Sequence, residues 1–390
     1  MTRVPTSKIP AWWRPTWICL AGEQPLPNVL PVLAHPPTKV LFLHTSLKAS
    51  REATHRCAAL LRARDIQVET VETDAFDAAR ITKDVQAIAA AHPTADLLLN
   101  YTGGTKIMSL AAYQALAPEI PRLYFDSAMG VMVGLGPFGP AAQPLLTVDE
   151  MLALHAEVSP VSEVAGPIPA PQTIALIVRL IRKDPKLLWD LLTYRQKVLS
   201  RYRLKKGWVK ITEPIEVPLA KHPKNAEALA KSMEEEGLLE SGEGFRPTAA
   251  GLEFMEGFWW EQFVFHQLSH GFTLLGVHPE ELDIRVNLSI SWNSAGTQTQ
   301  NEFDIAFNYR NRLYFISCTS ASEAESEKRR VQIEAFADRL GGRFAKAMLA
   351  CTLQPRVLTK LQARGSDRVL IPEWHAWLYP KGLLKDWIGM

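Results

Sequence analysis

Short apolar runs alternate with amphipathic stretches over the first third of the chain. TWICLAG and KVLFLHT are of the kind that form buried parallel strands, and further strands are predicted at QVETVET, ADLLLN, RLYFDS and VMVGLG. Segments with helical spacing separate most of them, such as SREATHRCAALLRARD and ARITKDVQAIAAAHP. This alternation predicts a doubly wound α/β sheet over roughly residues 15–150. In such sheets ligands bind at the loops that follow the carboxyl ends of the strands.

The pattern changes twice further along. Residues 157–172 are rich in Pro, Ser and Gly, which is typical of a linker, and the next stretch reads as two helices broken at Pro185. A further helix and two short strands around a Gly-Glu-Gly turn indicate a winged-helix-like module. In the last third, LDIRVNLSISW, NEFDIAFNYR and RLYFISCTS alternate with period two, which predicts antiparallel strands followed by a charged helix and two more strands. We therefore expect three parts: residues 1–155, 156–249 and 250–390.

Composition narrows the class of protein. The chain has 390 residues, 47% hydrophobic and 22% charged, and a net charge of only +2, so it is not a polycation that coats nucleic acid. Residues 179–224, however, hold thirteen lysines and arginines against four acidic residues. The four cysteines are far apart, the first residues lack an apolar signal core, and no apolar run is long enough to span a membrane. We expect a cytoplasmic protein.

The segment NYTGGTKIM joins a predicted strand to a predicted helix. Its spacing matches neither the P-loop nor the G-x-G-x-x-G dinucleotide motif. The small residues expose backbone N–H groups of Gly103, Gly104 and Thr105 at a helix N-terminus, where an anion binds well. Thr102 and Thr105 add hydroxyl groups, and Lys106 adds a positive charge. The alternative is a tight turn that only needs glycine for its backbone angles.

Two other predicted strand ends carry polar side chains. AGEQPLPNVLP follows the first strand and offers Gln24 and Asn28, and the second strand ends at His44-Thr45-Ser46. Together with the glycine loop, these groups suit the base edges and the phosphodiester of a nucleotide ligand.

The combination of G-E-Q-x-x-P-N-x-L-P with N-x-T-G-G-T-K-x-M resembles the CARF-domain nucleases of type III CRISPR systems. The resemblance covers essentially the whole chain. It implies a Rossmann-like CARF sensor that binds cyclic oligoadenylate, typically cyclic tetra-adenylate, across a homodimer. It further implies a winged-helix-like connector and a C-terminal PD-(D/E)xK domain, related to restriction endonucleases, that cuts DNA or RNA with Mg²⁺ or Mn²⁺.

Nucleases of this type hold their metal with acidic residues on a β-hairpin and place a lysine near the attacking water. In NEFDIAF, Glu302 and Asp304 are two residues apart and therefore share one face of a strand. Glu261, in WWEQFVF, matches a family position where a glutamate commonly faces the metal.

The family pattern of Glu-Cys-Lys on the next strand is replaced here by Ser317-Cys318-Thr319. Three explanations remain open. Glu323, Glu325 or Lys328 on the following helix supplies the missing groups, or Glu261, Glu302 and Asp304 suffice, or the domain is a degenerate nuclease that binds nucleic acid or a protein. A sensor that degrades its own cyclic ligand is a further alternative.

Overall fold

The structure is a computed structural model. It describes residues 15–126, 131–135, 144–156, 158–160, 171–204, 207–208, 211–294, 297–320 and 322–389. Most of the predicted linker, residues 161–170, lies outside these ranges.

The first part of the chain forms a six-stranded sheet between layers of helices. Its elements are β1 Thr16–Leu20, α1 Leu26–Ala34, β2 Lys39–Thr45, α2 Lys48–Arg62, β3 Gln67–Thr73, α3 Ala78–Ala90, β4 Leu97–Asn100, α4 Lys106–Ala115, β5 Arg122–Asp126 and β6 Val131–Leu135. The strand order is β3-β2-β1-β4-β5-β6, and only β6 runs antiparallel to its neighbour. The predicted Rossmann-like sheet is confirmed. The order reverses between β1 and β4, so the loops after these two strands open a crevice at the sheet edge.

Helices dominate the middle of the chain. The elements are α5 Val148–His155, β7 Val158–Pro160, α6 Pro171–Lys183, α7 Leu187–Lys197, β8 Arg203–Leu204, β9 Gly207–Trp208 and α8 Pro223–Glu235. As predicted, the helical segment is interrupted around Pro185, between α6 and α7. The strands predicted around the Gly-Glu-Gly turn are reduced to isolated bridges, Leu239 with Pro247 and Ile215 with Phe245.

The last part contains a second six-stranded sheet. Its elements are α9 Ala249–Glu253, α10 Trp259–Leu275, β10 Leu282–Ser294, β11 Thr297–Tyr309, β12 Arg312–Thr319, α11 Glu323–Gly341, β13 Lys346–Cys351, α12 Pro355–Gln362, β14 Val369–Leu370 and α13 Pro380–Ile388. The predicted antiparallel meander β10-β11-β12 is present, and β13 and β14 continue it in parallel. Arg310 and Asn311 both have positive φ, at 52° and 57°, and make the tight turn between β11 and β12.

Strand β7 completes the second sheet, in the order β14-β13-β12-β11-β10-β7. It was expected to be part of the linker, because three residues ending in proline carry no alternating pattern. Proline is tolerated there because β7 is an edge strand.

The stretch from Leu146 to α5 connects the first domain to the second sheet. The backbone N–H of Val148 donates to Asp283 at 2.7 Å, and that of Leu146 donates to Asn311 at 2.9 Å. The buried Asn308 amide donates to the Leu146 carbonyl. Apolar residues of both domains join one buried cluster on this side of the sheet. The opposite face packs on α10, α13 and the middle helices in a second cluster. Within the described part of the chain, no helix combines the length and apolar character that a membrane span requires.

Candidate functional sites

The loop after β4 passes close to the backbone of β1 and its loop. A Cβ atom placed on Gly103 would lie 2.0 Å from the Leu20 carbonyl oxygen, so only glycine fits there. Gly104 has φ +74°, and a Cβ on Gly22 would lie 3.1 Å from the Gly104 nitrogen. The two glycine loops therefore bring bare backbone together at the switch point of the sheet, as a phosphate cradle requires.

Thr105 is the N-cap of α4. Its hydroxyl accepts from the Met108 N–H at 3.1 Å and donates to the Ala75 carbonyl at 2.7 Å, which joins the cradle to the loop after β3. The hydroxyl of Thr105 thus uses both its donor and its acceptor function to hold the loop in place. Only the backbone of Thr105 is left to bind a ligand.

Several of the polar residues predicted for the ligand site make bonds inside the protein. Asn28 is buried and donates to the Leu20 carbonyl at 3.0 Å. Asn100 donates to the side-chain oxygen of Asn28 at 3.2 Å and accepts from the Thr102 hydroxyl at 2.7 Å. Thr102 in turn accepts from the Phe125 N–H at 2.7 Å. This network fixes the ends of β1, β4 and β5 relative to one another.

The remaining predicted sensor groups differ in their surroundings. Lys106, the first residue of α4, and Ser46, which directly follows β2, are exposed. The hydroxyl of Thr45 is buried without a hydrogen-bond partner in the described residues, and His44 bonds the Thr45 carbonyl through Nδ1 at 3.1 Å. Gln24 points elsewhere: its side-chain oxygen lies 3.2 Å from the position that a Cβ on Gly342 would take. Gln24 therefore sits where the sensor loop meets the end of α11.

The second site is built around Asp304 on β11. One oxygen of its largely buried carboxylate accepts from the Cys318 N–H at 2.6 Å and from the Ser317 hydroxyl at 3.1 Å. Cys318 is buried, as expected for the face opposite Ser317. The predicted hairpin geometry therefore holds, with Ser317 placed against Asp304.

Arg329 on α11 reaches the same point. Its Nη1 atom lies 3.3 Å from the Asp304 carboxylate, 3.4 Å from the Ser317 hydroxyl and 3.0 Å from the Cys318 carbonyl. Glu325, one turn earlier, lies 3.8 Å from its Nε. A guanidinium from the helix thus reaches the hairpin where the family pattern has a lysine on the strand.

Glu261, at the start of α10, is electrostatically linked to Asp304. Burial, and then the charge of Asp304, raise the pKa of Glu261 to about 8, with Arg329 opposing and Glu302 adding to the shift. Burial also raises the pKa of Asp304, against the lowering effects of Arg329, the Cys318 amide and the Ser317 hydroxyl. Repulsion between two partly buried carboxylates is what a bound divalent cation relieves, so these two residues fit a metal.

Other sequence-predicted catalytic residues lie further out. Glu302 is exposed on β11, and its charge adds to the raised pKa of Asp304. Glu323 and Lys328 are exposed on α11. In the described ranges no three His, Cys, Asp or Glu side chains come together as a ready set of metal ligands. Thr319 is buried and partnered at the end of β12.

Arg329 was missed in the sequence, although a signal for it exists. The buried face of α11 follows helical spacing through Ser326, Arg330, Ile333, Ala337 and Leu340. On a helical wheel Arg329 lies at the edge of this stripe, whereas Lys328 lies on the opposite side of the helix.

Two protein-family models match the chain. The Card1 CARF domain matches residues 16–128, and the Card1-like endonuclease domain matches residues 249–373. The chain is a CARF-domain protein with a Card1-like endonuclease domain. These two domains correspond to the two sheets described above. The glycine cradle lies in the CARF domain, and the Asp304 hairpin lies in the endonuclease domain.

Solved structures with the same overall fold include Can2 from Sulfobacillus thermosulfidooxidans in complex with cyclic tetra-adenylate. It is 21% identical, with a TM-score of 0.71 over 97% of this chain and 98% of that one. VC1899 from Vibrio cholerae is 17% identical, with a TM-score of 0.76 over 96% and 98% of the two chains. A type III CRISPR defence DNA nuclease activated by cyclic oligoadenylate is 18% identical, with a TM-score of 0.51; the match covers 95% of this chain and 49% of that one. No curated protein sequence matches the chain.

Proposed function

We propose that this protein binds a cyclic oligoadenylate in its CARF domain and responds by cutting DNA or RNA with a divalent-metal site in its endonuclease domain. The observation that carries the proposal is the cluster of Asp304, Glu261 and Arg329 at the hairpin of a Card1-like endonuclease domain. Cyclic tetra-adenylate is the first ligand to test, because Can2, which shares the fold, was solved in complex with it. The setting we propose is the cytoplasm.

In the CARF domain, the backbone N–H groups of Gly103, Gly104 and Thr105 would bind phosphate oxygens, and Lys106 would counter their charge. Thr45 and Ser46 would contact the nucleoside, since one has a free buried hydroxyl and the other is exposed directly after β2. Asn28 and Thr102 would act by holding the loops, because their polar groups already bond within the protein.

A second copy of the chain would complete the ligand site. Helix α4, which begins at the cradle, exposes Ile107 and Leu110 one turn apart, with Leu110 64% exposed, and β5 and β6 expose Tyr124 and Val133 beside it. This apolar patch adjoins Lys106 and suits a symmetric contact that brings two cradles together.

In the endonuclease domain, Asp304 and Glu261 would hold Mg²⁺ or Mn²⁺, and Glu302 would assist from the same face of β11. The bound ion would polarise the scissile phosphate and lower the pKa of the attacking water. Arg329 would orient Asp304 and present its positive charge to the phosphate, in the role that the family gives to the lysine replaced here by Thr319. Ser317 holds the Asp304 carboxylate by its hydroxyl.

A degenerate nuclease that only binds nucleic acid is the second candidate. Ser317 and Thr319 stand where the family has a carboxylate and a cation, and Arg329 already pairs with Asp304. A third candidate, a sensor that degrades its ligand, would place the chemistry in the CARF domain.

One assay separates these functions. Purified protein is incubated with labelled single-stranded DNA, RNA and plasmid, with Mg²⁺ or Mn²⁺, with and without cyclic tetra-adenylate. We expect cleavage that requires the ligand and the metal and is abolished by Asp304→Asn. Cleavage of the ligand alone would point to the CARF domain, and binding without any cleavage would favour the degenerate nuclease.

A further inference from the structure

A cleft of about 370 Å³ lies between the middle helices and the endonuclease domain. The residues that line it are Arg195, Gln196, Leu199, Ser200, Arg203, Glu256, Ser320 and Ser322. Five of these come from α7 and the turn after it, within the basic stretch of residues 179–224. Of the other three, Glu256 lies in the helical turn before α10, Ser320 directly follows β12, and Ser322 is the N-cap of α11.

Arg195 is the half-buried cation of this cleft. Its Nη1 donates to the Ser320 hydroxyl at 2.5 Å and points to the Ser320 carbonyl at 3.4 Å. Among the described residues no carboxylate lies within ion-pair distance of it, whereas Arg203 pairs with Glu256. Burial lowers the pKa of Arg195. The charge of Glu256, which also lines the cleft, raises the pKa of Arg195, but Glu256 makes its ion pair with Arg203. A partly desolvated guanidinium without a direct ion pair gains free energy when an anion enters its cleft.

The cleft borders the candidate active site. Ser320 directly follows β12, three residues after the Ser317 that bonds Asp304. Gly257 precedes Glu261 by about one helical turn. A Cβ placed on Gly257 would lie 3.6 Å from the Ser320 hydroxyl and 3.9 Å from the guanidinium carbon of Arg195. Arg195 thus contacts the residue after β12, the strand that pairs with the Asp304 strand β11, and lies near the helical turn that precedes Glu261.

We propose that Arg195 and Ser320 form a subsite for a phosphodiester of the nucleic-acid strand, next to the one that is cut. The guanidinium has further N–H groups in a planar fork that matches two phosphate oxygens, and the hydroxyl of Ser320 adds a third donor. Arg203 stands at the rim, held by Glu256. This subsite rests on the proposed function in that its occupant is the substrate of the endonuclease domain. It makes the middle domain a part of the substrate site.

The test is a binding measurement that needs no cleavage. Fluorescence anisotropy of a labelled single strand, made once as DNA and once as RNA, is recorded in EDTA over a series of salt concentrations, with cyclic tetra-adenylate present. We expect Arg195→Gln to weaken binding about tenfold. The negative slope of log affinity against log salt should become shallower by about 0.7, the value for one lost phosphate contact on a single strand. Arg195→Lys keeps the charge but loses the fork, and should retain the slope with a smaller loss of affinity.

Lys197→Gln is the matched control. It removes one positive charge from an exposed position on the same helix, and Lys197 does not line the cleft. Its effect should stay within about twofold, as expected of general steering by an exposed charge. The melting temperature of each variant reports that the fold is kept. Equal effects of Arg195→Gln and Lys197→Gln, or no binding by the unaltered protein, would overturn the subsite.

The two proposals fail separately. Binding that depends on Arg195, without cleavage under Mg²⁺ or Mn²⁺, supports the subsite and contradicts the nuclease. Ligand-dependent cleavage with an unchanged affinity in Arg195→Gln supports the nuclease and contradicts the subsite.

Discussion

At the scale of single residues, one step along a helix decides which cation reaches the hairpin. Lys328 is exposed, while the neighbouring Arg329 lies 3.3 Å from Asp304. Successive helix residues are about 100° apart around the axis, so only one of the two can face β11 and β12. In the proposed site, therefore, the carboxylate comes from strand β11 and the cation from helix α11.

We expect Arg329→Gln to reduce cleavage about 100-fold, because it removes one preorganised cationic donor from the reacting phosphate. Arg329→Lys should recover part of the activity, since it restores the charge without the fork. Lys328→Gln is the control and should leave the rate within about twofold, as for an exposed charge. The measurement is single-turnover cleavage at saturating metal. Equal losses in Arg329→Gln and Lys328→Gln would remove Arg329 from the site.

At the scale of elements, the parts of the fold with strong local signals were predictable from the sequence. The turn from β4 to α4 has its glycines and its apolar strand within ten residues, and the structure confirms both of them. The capping role of Thr105 was not predicted, because its hydroxyl was assigned to the ligand. Strand β7 has only three residues and no alternation, so its pairing with β10 depends on the finished sheet edge. The same holds for Arg329, whose contact requires the packing angle of α11 on the sheet. Local pattern does not encode that angle.

The turn that ends α11 meets the sensor loop. Gly342 has φ +66°, and an added Cβ would lie 2.6 Å from His155 Cε1 and 3.2 Å from the side-chain oxygen of Gln24. Helix α11 therefore extends from the CARF loop, at its C-terminal end, to the Asp304 hairpin. Helix α11 is therefore the single element that lies between Gln24 and Arg329.

We expect Gly342→Ala to destabilise the protein by about 3 kcal/mol and to raise the ligand concentration needed for half-maximal cleavage, because the methyl group adds overpacking to the cost of a positive φ. Gly237→Ala is the matched control: φ is +70° and no atom lies within 4 Å of the added Cβ. That variant should lose only about 1 kcal/mol, with unchanged activation by the ligand. Chemical denaturation and a ligand titration measure the two effects. Identical behaviour of both variants would show that the contact with Gln24 and His155 is not used.

His155 at the end of α5 should make this contact sensitive to acid. Burial, and then the charge of Arg56, lower the pKa of His155 from 6.5 to about 4. Below pH 6.5, His155 is protonated in the unfolded chain but stays neutral in the folded chain. The free energy of unfolding therefore falls as the pH drops from 6.5 toward about 4. The loss approaches about 3 kcal/mol at the lower end. We expect His155→Gln to flatten this part of a stability–pH profile, and the exposed His278→Gln to leave it unchanged. A profile that keeps its slope in His155→Gln would contradict the assignment.

At the scale of the whole molecule, the three parts of the chain pack against one another. The CARF domain and one face of the endonuclease sheet share a buried apolar cluster, and the middle helices pack on the other face. The basic stretch of the middle part borders the candidate active site, although the net charge of the chain is only +2. A ligand bound in the CARF domain would therefore change the position of the other two parts through these packed contacts. This requires that the ligand binds one of two arrangements of the molecule more tightly than the other.

A symmetric dimer is the simplest source of two such arrangements, and the patch on α4 tests it. We expect Leu110→Glu to produce a monomer and to abolish ligand binding, because the carboxylate would be buried against its own copy and each site would lose its second cradle. Sedimentation velocity and ligand titration measure both outcomes. Leu274→Glu is the control, since Leu274 is 45% exposed on α10, far from the cradle in sequence and in a different domain, and should change neither mass nor affinity. If Leu110→Glu remained the same size as the unaltered protein and still bound cyclic tetra-adenylate, one cradle would suffice and a dimer formed through α4 could not be the source of the two arrangements.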